Sequence, residues 1–197
     1  MAIDSYMAFQ PYVGSPLAAE SQVDMSQNNE NLATAGSPSL KALASAGQLF
    51  EIEDYSFDVE QTLNIGSQST GAGAGKITFN PFSITRKIDK SSTNFFQMAC
   101  SGTTFKLVTL ALRKSSGGMT SGQVFLRFDF KLVAVKTISW AHDDEAPKET
   151  VTFEYGGLCI SYNQQDQSGS LGTHPPIEVG WNRVKNIADT APYTPYT

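Results

Sequence analysis

The sequence predicts a mainly β protein: an antiparallel two-sheet β-barrel or sandwich with one short α-helix packed alongside. Three observations predict this class. From residue 49 onward, short runs alternate between apolar and polar residues, which is the period of a strand with one buried face. Clusters of glycine, proline and serine separate these runs, as turns do. Apolar residues recur at a clear helical spacing in one stretch, at about residues 92–101.

The predicted helix follows a strand around Ile84 and has the residues of a helix start. Three residues there carry oxygens that accept hydrogen bonds from free helical N–H groups: Asp89, Ser91 and Ser92. The residues assigned to its core-facing side include Phe95, Phe96 and Ala99. Gly102 stands where a left-handed C-terminal cap is favoured. We therefore expect a helix of about two turns on the sheet, anchored by at least one of the two phenylalanines.

The clearest strand spans residues 124–136, where apolar and charged residues alternate. We expect its apolar face in the core and its charged face in water or an interface. The charged residues are Arg127, Asp129 and Lys131. The sheet continues to Trp140, whose indole we expect in the core. Gly156 and Gly157 separate two further alternating runs and mark the expected place of a bulge.

A chain of 197 residues is most simply one domain. We assign residues 1–162 to it, with an inserted polar segment at about 21–47, and residues 163–197 to a C-terminal extension. A short helix is predicted at 39–46, between Pro38 and Gly47. Within the extension, residues 178–187 are the expected ordered piece. Both segments have few apolar residues, so we expect them to decorate the outside of the domain and residues 22–47 to be dispensable for folding.

A glycine-rich stretch without large side chains follows Ile65. Its residues are Gly66, Ser67, Gln68, Ser69, Thr70, Gly71, Ala72, Gly73, Ala74 and Gly75. The spacing is not that of a phosphate-binding loop, because Ile77 follows Lys76 where serine or threonine is required. Such a stretch cannot pack on its own account, so it is either a flexible hairpin tip or an arm ordered by a partner.

Charge excludes some partners. The chain has 14 basic and 19 acidic residues, a net charge of −5, and no evident basic patch, which argues against nucleic acid. The first basic residue is Lys41 and no long apolar run is present, so we expect neither a secretory signal nor membrane insertion. The product is expected to begin in the cytoplasm and to leave it only through a machine that needs no signal.

The sequence offers little for catalysis. Cys100 and Cys159 are expected to be buried, reduced thiols, with a disulfide as the alternative. Residues 142–145, His-Asp-Asp-Glu, are the only cluster that could hold a metal, and no second histidine lies at a zinc-like spacing. We expect a solvated turn there. The prediction is therefore no enzyme, no catalytic residues, no metal and no cofactor.

Aromatic residues leave a second function open. A sandwich domain that binds carbohydrate or a cell surface would use exposed aromatic rings, and the candidates are Trp140, Trp181, Tyr193 and Tyr196. Such a module would be monomeric or dimeric and would have a ligand.

Four motifs resemble those of one known family. Residues 86–92, R-K-I-D-K-S-S, followed by F-F-Q-M-A-C-S-G, are similar to the signature of the haemolysin-coregulated protein (Hcp) family of bacterial type VI secretion. The N-terminal M-A-I-D-S-Y, the glycine-rich loop, and I-S-W with E-x-V-T-F-E-Y-G-G-L-x-I-S-Y occur in the same order as in Hcp. The resemblance covers residues 1–10 and 49–162. Thr93 stands where the family often has proline, and residues 21–47 are longer than the corresponding link.

The resemblance implies a structural function. Hcp subunits form hexameric rings that stack head-to-tail into a tube, which a contractile sheath expels and which can carry effectors in its lumen. The implied partners are copies of the chain and the sheath, spike and baseplate components. In Hcp proteins the glycine-rich loop reaches a neighbouring subunit, which here implies residues 66–75 as the ring-stacking arm.

Overall fold

Strands dominate the structure, a computed structural model of the chain. It describes residues 3–26, 28, 32, 38–64, 73–114, 122–142, 146–164 and 175–189. In order, the elements of these residues are β1 (Ile3–Pro11), α1 (Leu40–Ser45), β2 (Phe50–Ile52), β3 (Asp54–Ser56), β4 (Val59–Asn64), β5 (Gly73–Phe79), β6 (Phe82–Lys87), α2 (Ser92–Ser101), β7 (Thr104–Lys114), β8 (Gln123–His142), β9 (Pro147–Tyr162), β10 (Ile177–Asn182) and β11 (Ile187–Ala188). The mainly β class is confirmed, and α1 is a second helix beside the predicted α2.

Antiparallel pairing joins nine of the described strands into one sheet. Its main path is β11-β10-β9-β8-β7-β1-β2, and β6 branches from β9 and pairs with β3 on its other side. β4 and β5 form a separate two-stranded sheet. The predicted barrel is wrong in one respect, because the strand path ends at β2 and β11, which do not pair with each other and leave the sheet open.

The two long strands, β8 and β9, join the two branches of the sheet, because β8 pairs with β7 and β9 pairs with β6. Their register shifts between Val135 and Thr137, and the later part of β8 pairs with the part of β9 that also pairs with β6. β9 runs unbroken through Gly156 and Gly157, and its register shift against β8 lies at Val135 and Thr137, so the bulge predicted at the two glycines is wrong. The irregularity lies opposite, at Leu132, whose φ is +50°. A Cβ at Gly156 would lie 3.1 Å from the Leu132 Cβ, so the Leu132 side chain would have to shift to admit a larger residue.

The main core is a cluster of stacked and edge-on phenylalanines between the layers. Phe82 on β6 stacks on Phe130 and Phe153, with ring centroids 4.2 and 4.7 Å apart. Phe9 on β1 meets Phe153 at 5.7 Å and the helix residue Phe95 at 4.9 Å. Each such pair contributes about 0.5–1.5 kcal/mol beyond its buried area. The aromatic cluster therefore fixes how β1, β6, α2 and the long strands pack.

A second apolar cluster lies on the opposite face of β1. Tyr6 and Ala8, which alternate with the main-core residues of that strand, pack with residues of the inserted segment. The buried residues contributed by the chain between β1 and β2 are Met25, Leu32, Leu40, Leu43 and Leu49. The expectation that residues 21–47 have too few apolar groups to form core was wrong, because four of their side chains, Met25, Leu32, Leu40 and Leu43, are buried in this cluster.

The charged face of β8 is also covered, contrary to the sequence expectation. Arg127 and Asp129 are each 1% exposed and pair with an Nε–Oδ2 distance of 2.9 Å. Arg127 Nη1 also donates to the carbonyl of Pro38, just before α1. Lys131 donates to Asp189, which follows β11. The inserted segment and the C-terminal strands thus cover this face, which local alternation alone could not reveal.

Short helices and the C-terminal strands follow the local signals. In α1 the Ser39 hydroxyl caps the first turn by accepting from the Ala42 N–H, and α2 ends at Gly102 with a φ of +67°. The ordered piece predicted at 178–187 corresponds to β10 and β11, which extend the main sheet beyond β9. The division into a domain at 1–162 and an extension at 163–197 stays a prediction.

Candidate functional site

The R-K-I-D-K-S-S motif forms a buried polar network around Arg86, at the end of β6. Arg86 Nε donates to Glu149 Oε1 at 2.8 Å, across a directly paired position of β9. Its two terminal nitrogens donate to the Asp89 carboxylate at 3.0 and 2.8 Å, a bidentate arrangement. Nη2 also reaches the hydroxyls of Ser91 and Ser92 at 2.9 and 3.1 Å. One guanidinium thus joins β6, β9 and the start of α2.

This network is closed to solvent. The Arg86 side chain is 2% exposed and that of Glu149 is 0% exposed. The guanidinium carbon lies 5.1 Å from the ring centroid of Phe50 and 5.0 Å from that of Phe95, so the cation contacts aromatic rings as well as carboxylates. In such surroundings, removal of one partner leaves a buried charge without its counterion, which typically costs about 3–5 kcal/mol.

The predicted helix-capping residues serve the network instead. Ser91 occupies the N-cap position of α2 but makes no side-chain capping bond, and the Ser92 hydroxyl donates to Glu149 Oε1 at 2.8 Å. The Asp89 carboxylate accepts from the N–H and hydroxyl of Ser91. Burial raises the pKa of Asp89, but the hydrogen bonds from Arg86 and Ser91 outweigh it and hold this pKa below its ordinary value. Asp89 is therefore ionised at neutral pH.

Only part of the predicted core face of α2 is buried. Phe95 is fully buried and Met98 lies beside it in the main core. Phe96, at 52% exposure, and Ala99 face outward, so their assignment to the core was wrong. Phe95 and Met98 are three residues apart and share one face of the helix, which packs on the core. Phe96 and Ala99 are also three residues apart, but they share the neighbouring face, which points outward.

A family model described as "Type VI secretion system effector, Hcp" matches residues 23–162, well over half of the chain. The chain belongs to the Hcp family. Among curated proteins, Protein hcp1 of Pseudomonas aeruginosa is 26% identical over 112 residues, which cover 57% of this chain and 68% of that protein. The resemblance that the motifs indicated is therefore confirmed.

Solved structures show the same fold. One structure, described as a type six secretion system protein, superposes with a TM-score of 0.72 at 20% identity and covers 95% of this chain and 100% of that one. Hcp1 from Salmonella typhimurium gives a TM-score of 0.61 at 19% identity, with 96% and 100% coverage. At such identities the likeness concerns the fold alone, so the Hcp fold extends over nearly the whole chain, including both terminal parts.

Sequence alone did not place two members of the network in this Hcp chain beside Arg86. Glu149 begins the E-x-V-T-F-E-Y motif, but its pairing with Arg86 spans 63 residues and depends on strand register. Trp140, expected in the core, is 52% exposed, and its Nε1 donates to Glu149 Oε2 at 3.2 Å. Its ring lies against Phe96, with centroids 6.1 Å apart. The buried carboxylate thus holds an exposed aromatic pair in place.

The glycine-rich stretch lies at the end of the β4–β5 sheet. Residues 66–72 lie outside the described residues, and Gly73 begins β5, whose first residues pair with Leu63 and Asn64 of β4. The stretch therefore connects two paired strands, as a hairpin loop does. Its role as a ring-stacking arm stays a proposal.

The thiols differ in environment. Both cysteines are free; Cys159 is buried as expected, whereas Cys100 is exposed, which corrects the expectation of two buried thiols. Burial, with the nearby negative charge of Asp129, raises the pKa of Cys159 to about 11. The Cys159 thiol is therefore protonated at neutral pH and poorly suited to nucleophilic chemistry.

Other predicted sites lie partly outside the described residues. Of residues 142–145, the structure describes only His142, and Tyr193 and Tyr196 lie outside it. Within the part of the chain that is described, no group of three His, Cys, Asp or Glu residues is placed to hold a metal ion. Trp181 is half-buried on β10 and packs against the main core. Among the described residues, no helix combines the length and the apolar character needed to cross a bilayer.

Proposed function

We propose that this chain is the structural subunit of a type VI secretion tube, in which hexameric rings stack head-to-tail and a contractile sheath expels the stack. The match of the Hcp family model to residues 23–162 carries this proposal. A carbohydrate-binding module is not favoured, because the Hcp family model matches residues 23–162, which are most of the chain.

The chemistry of the motif supports a structural role. The densest polar cluster of the described residues is the Arg86 network, and its central charges are closed to solvent. A substrate could not reach them without unfolding the junction of α2 and β9. These groups therefore hold elements together, as a rigid ring subunit requires, and we assign the chain neither a catalytic residue nor a cofactor.

Residues 66–75 are the proposed stacking arm. Their small side chains let the backbone approach a neighbouring subunit closely. Fixing such a segment costs about 1 kcal/mol or more per residue, so one arm alone binds weakly. Six arms around a ring act together, because the first contacts orient the remainder. Stacking is thus expected to be cooperative between rings and weak between single subunits.

The proposed partners follow from this role. Copies of the chain form the ring and the tube; sheath, spike and baseplate components contact the tube, and effectors occupy its lumen. The protein accumulates in the bacterial cytoplasm and leaves it with the expelled tube.

A deletion of residues 67–74 tests the proposal. We expect the shortened chain to melt near the wild-type temperature and to form single rings, since the deleted residues lie at the end of the β4–β5 sheet. Electron microscopy should show no stacked tubes, and secretion should be lost. Tubes or secretion that survive the deletion would contradict the role of the arm.

A further inference from the structure

One open groove outside the motif network has an apolar floor. It lies on the outer face of β8 and β9, and its volume is about 450 Å³. Leu132 and Ala134 of β8, Gly156 of β9 and Val184 in the turn after β10 line it. Val184 is 63% exposed and so presents an apolar side chain to solvent beside the groove.

The backbone is strained where it forms this floor. Leu132 has a φ of +50° within a strand, a conformation that non-glycine residues adopt rarely. Such a residue costs on the order of 1–3 kcal/mol, and outliers of this kind concentrate at functional positions. Leu132 is only half-buried within the subunit. The strained conformation therefore presents the leucine to the outer surface rather than to the core.

Positive charge surrounds the groove. Lys136 and Arg183 both pair with Glu154, at 2.9 and 3.1 Å, and all three side chains are more than one-third exposed. Their hydrogen bonds, that of Lys136 above all, lower the pKa of Glu154, so this carboxylate is charged at neutral pH. Lys185, in the same turn as Arg183, is also exposed. Two cations thus pair with Glu154, and a third, Lys185, lies in the same turn as Arg183.

The other end of the sheet is acidic. Five acidic side chains lie along β1, β2 and the residues beside them: Asp4, Glu20, Glu51, Glu53 and Asp54. Arg113 pairs with Asp4 and Lys148 with Glu53. No ion pair is present at Glu20, Glu51 or Asp54 among the described residues. Ile3, in the same area, is 55% exposed and supplies an apolar contact.

The two surfaces belong to different strands of the sheet. β2 ends the strand path on one side, while β10 and β11, which flank the basic turn, end it on the other. Two different surfaces of one subunit are what a head-to-tail ring contact uses. Opposite charges orient such a contact and disfavour the wrong pairing of like ends.

We infer that the Leu132–Val184 groove and its basic rim receive the acidic β1–β2 edge of a second copy, side by side within the ring. The contact buries Val184 and Leu132 and gives Lys185 a carboxylate partner, which the described residues of the subunit alone do not supply. This inference rests on the proposed ring, whose formation the same experiment measures separately.

Charge reversal tests the contact. Lys185→Glu and Glu51→Lys change exposed side chains on the two surfaces, so each variant should keep the wild-type melting temperature as a monomer. Each alone should raise the concentration at which half the copies are in rings by roughly tenfold, because attraction becomes repulsion. An equimolar mixture should restore rings, since alternating copies bring opposite charges together at every contact. Native mass spectrometry would identify these as rings of three copies of each variant.

Two further variants keep the test decisive. Val184→Asp should weaken rings through the groove without changing Lys185. Glu60→Lys, an exposed reversal on β4 outside both surfaces, is the matched control and should leave rings unchanged. Wild-type rings that tolerate both single reversals, or a mixture that stays dissociated, would overturn the contact while leaving the ring itself intact. Absence of rings from the wild type would instead overturn the proposed function.

Discussion

The Arg86 network makes a quantitative prediction for Glu149. Glu149→Gln keeps the shape of the side chain but removes the negative charge that faces Arg86 Nε at 2.8 Å. The guanidinium then stays buried with Asp89 as its remaining counterion, and the new amide nitrogen opposes the donor at the one oxygen it replaces, either the Ser92 hydroxyl or the Trp140 N–H. Breaking one partner of a buried pair typically costs about 3–5 kcal/mol.

That free energy corresponds to a large change in melting temperature. For a chain of this length, 1 kcal/mol shifts the midpoint by about 2–4 °C, so we expect a fall of roughly 6–20 °C. Thermal unfolding should be followed at neutral pH and at a protein concentration too low for rings, because assembly would stabilise the subunit by mass action. Urea unfolding of the same samples gives the free energy directly.

The matched control is an exposed ion pair. Glu154→Gln removes the partner of Lys136 and Arg183 at the surface, where such pairs contribute about 0–1 kcal/mol. Combining Glu149→Gln with Arg86→Met should cost less than the sum of the two single changes, because the uncompensated cation is gone. If Glu149→Gln melted like Glu154→Gln, the network would not hold α2 to β9 and the reasoning would be refuted.

Three further predictions concern other parts of the subunit. The pKa of Asp89 is lowered in the folded state, so the stabilisation by this carboxylate is present above the ordinary pKa of 3.8 and is lost as the pH falls through the folded pKa. The stability difference between wild type and Asp89→Asn should therefore shrink in acid. A difference that does not depend on pH would contradict this prediction. Leu43→Ala should destabilise the subunit by about 2–5 kcal/mol in urea unfolding, because Leu43 is buried in the second cluster; an unchanged midpoint would mean that the inserted segment is dispensable after all. A maleimide should label one thiol in the native protein, Cys100, and two in denaturant; labelling of Cys159 in native protein would contradict its burial.

Local signals in the sequence were enough to predict most of the helices and strands. α1 and α2 were predicted from capping residues and helical spacing, and the ends of α2 agree with residues 92–101. Strand alternation identified β7, β8 and β9. The side of α2 that faces the core was harder to predict. Phe95, Met98 and Phe96 form an apolar stripe that is too short to distinguish the buried side from the exposed one.

Contacts between distant parts of the chain could not be predicted in this way. The alternating pattern of β8 predicted that Arg127 and Asp129 face water or an interface. A local pattern contains no information about other segments of the chain, and such segments bury both residues. The Arg86 network was also missed, although the motif containing it was recognised, since Glu149 reaches it only through the register of β6 and β9. Trp140 was placed in the core by its size, whereas its N–H partner holds it at the surface.

Native mass spectrometry of the purified chain tests the central claim most directly. The account predicts a complex of six copies of the 21.3 kDa chain, with no bound cofactor, at neutral pH and low ionic strength. The hexamer should dominate at concentrations well above micromolar. A folded monomer that persists under those conditions would contradict the proposal that this chain forms the rings of a secretion tube.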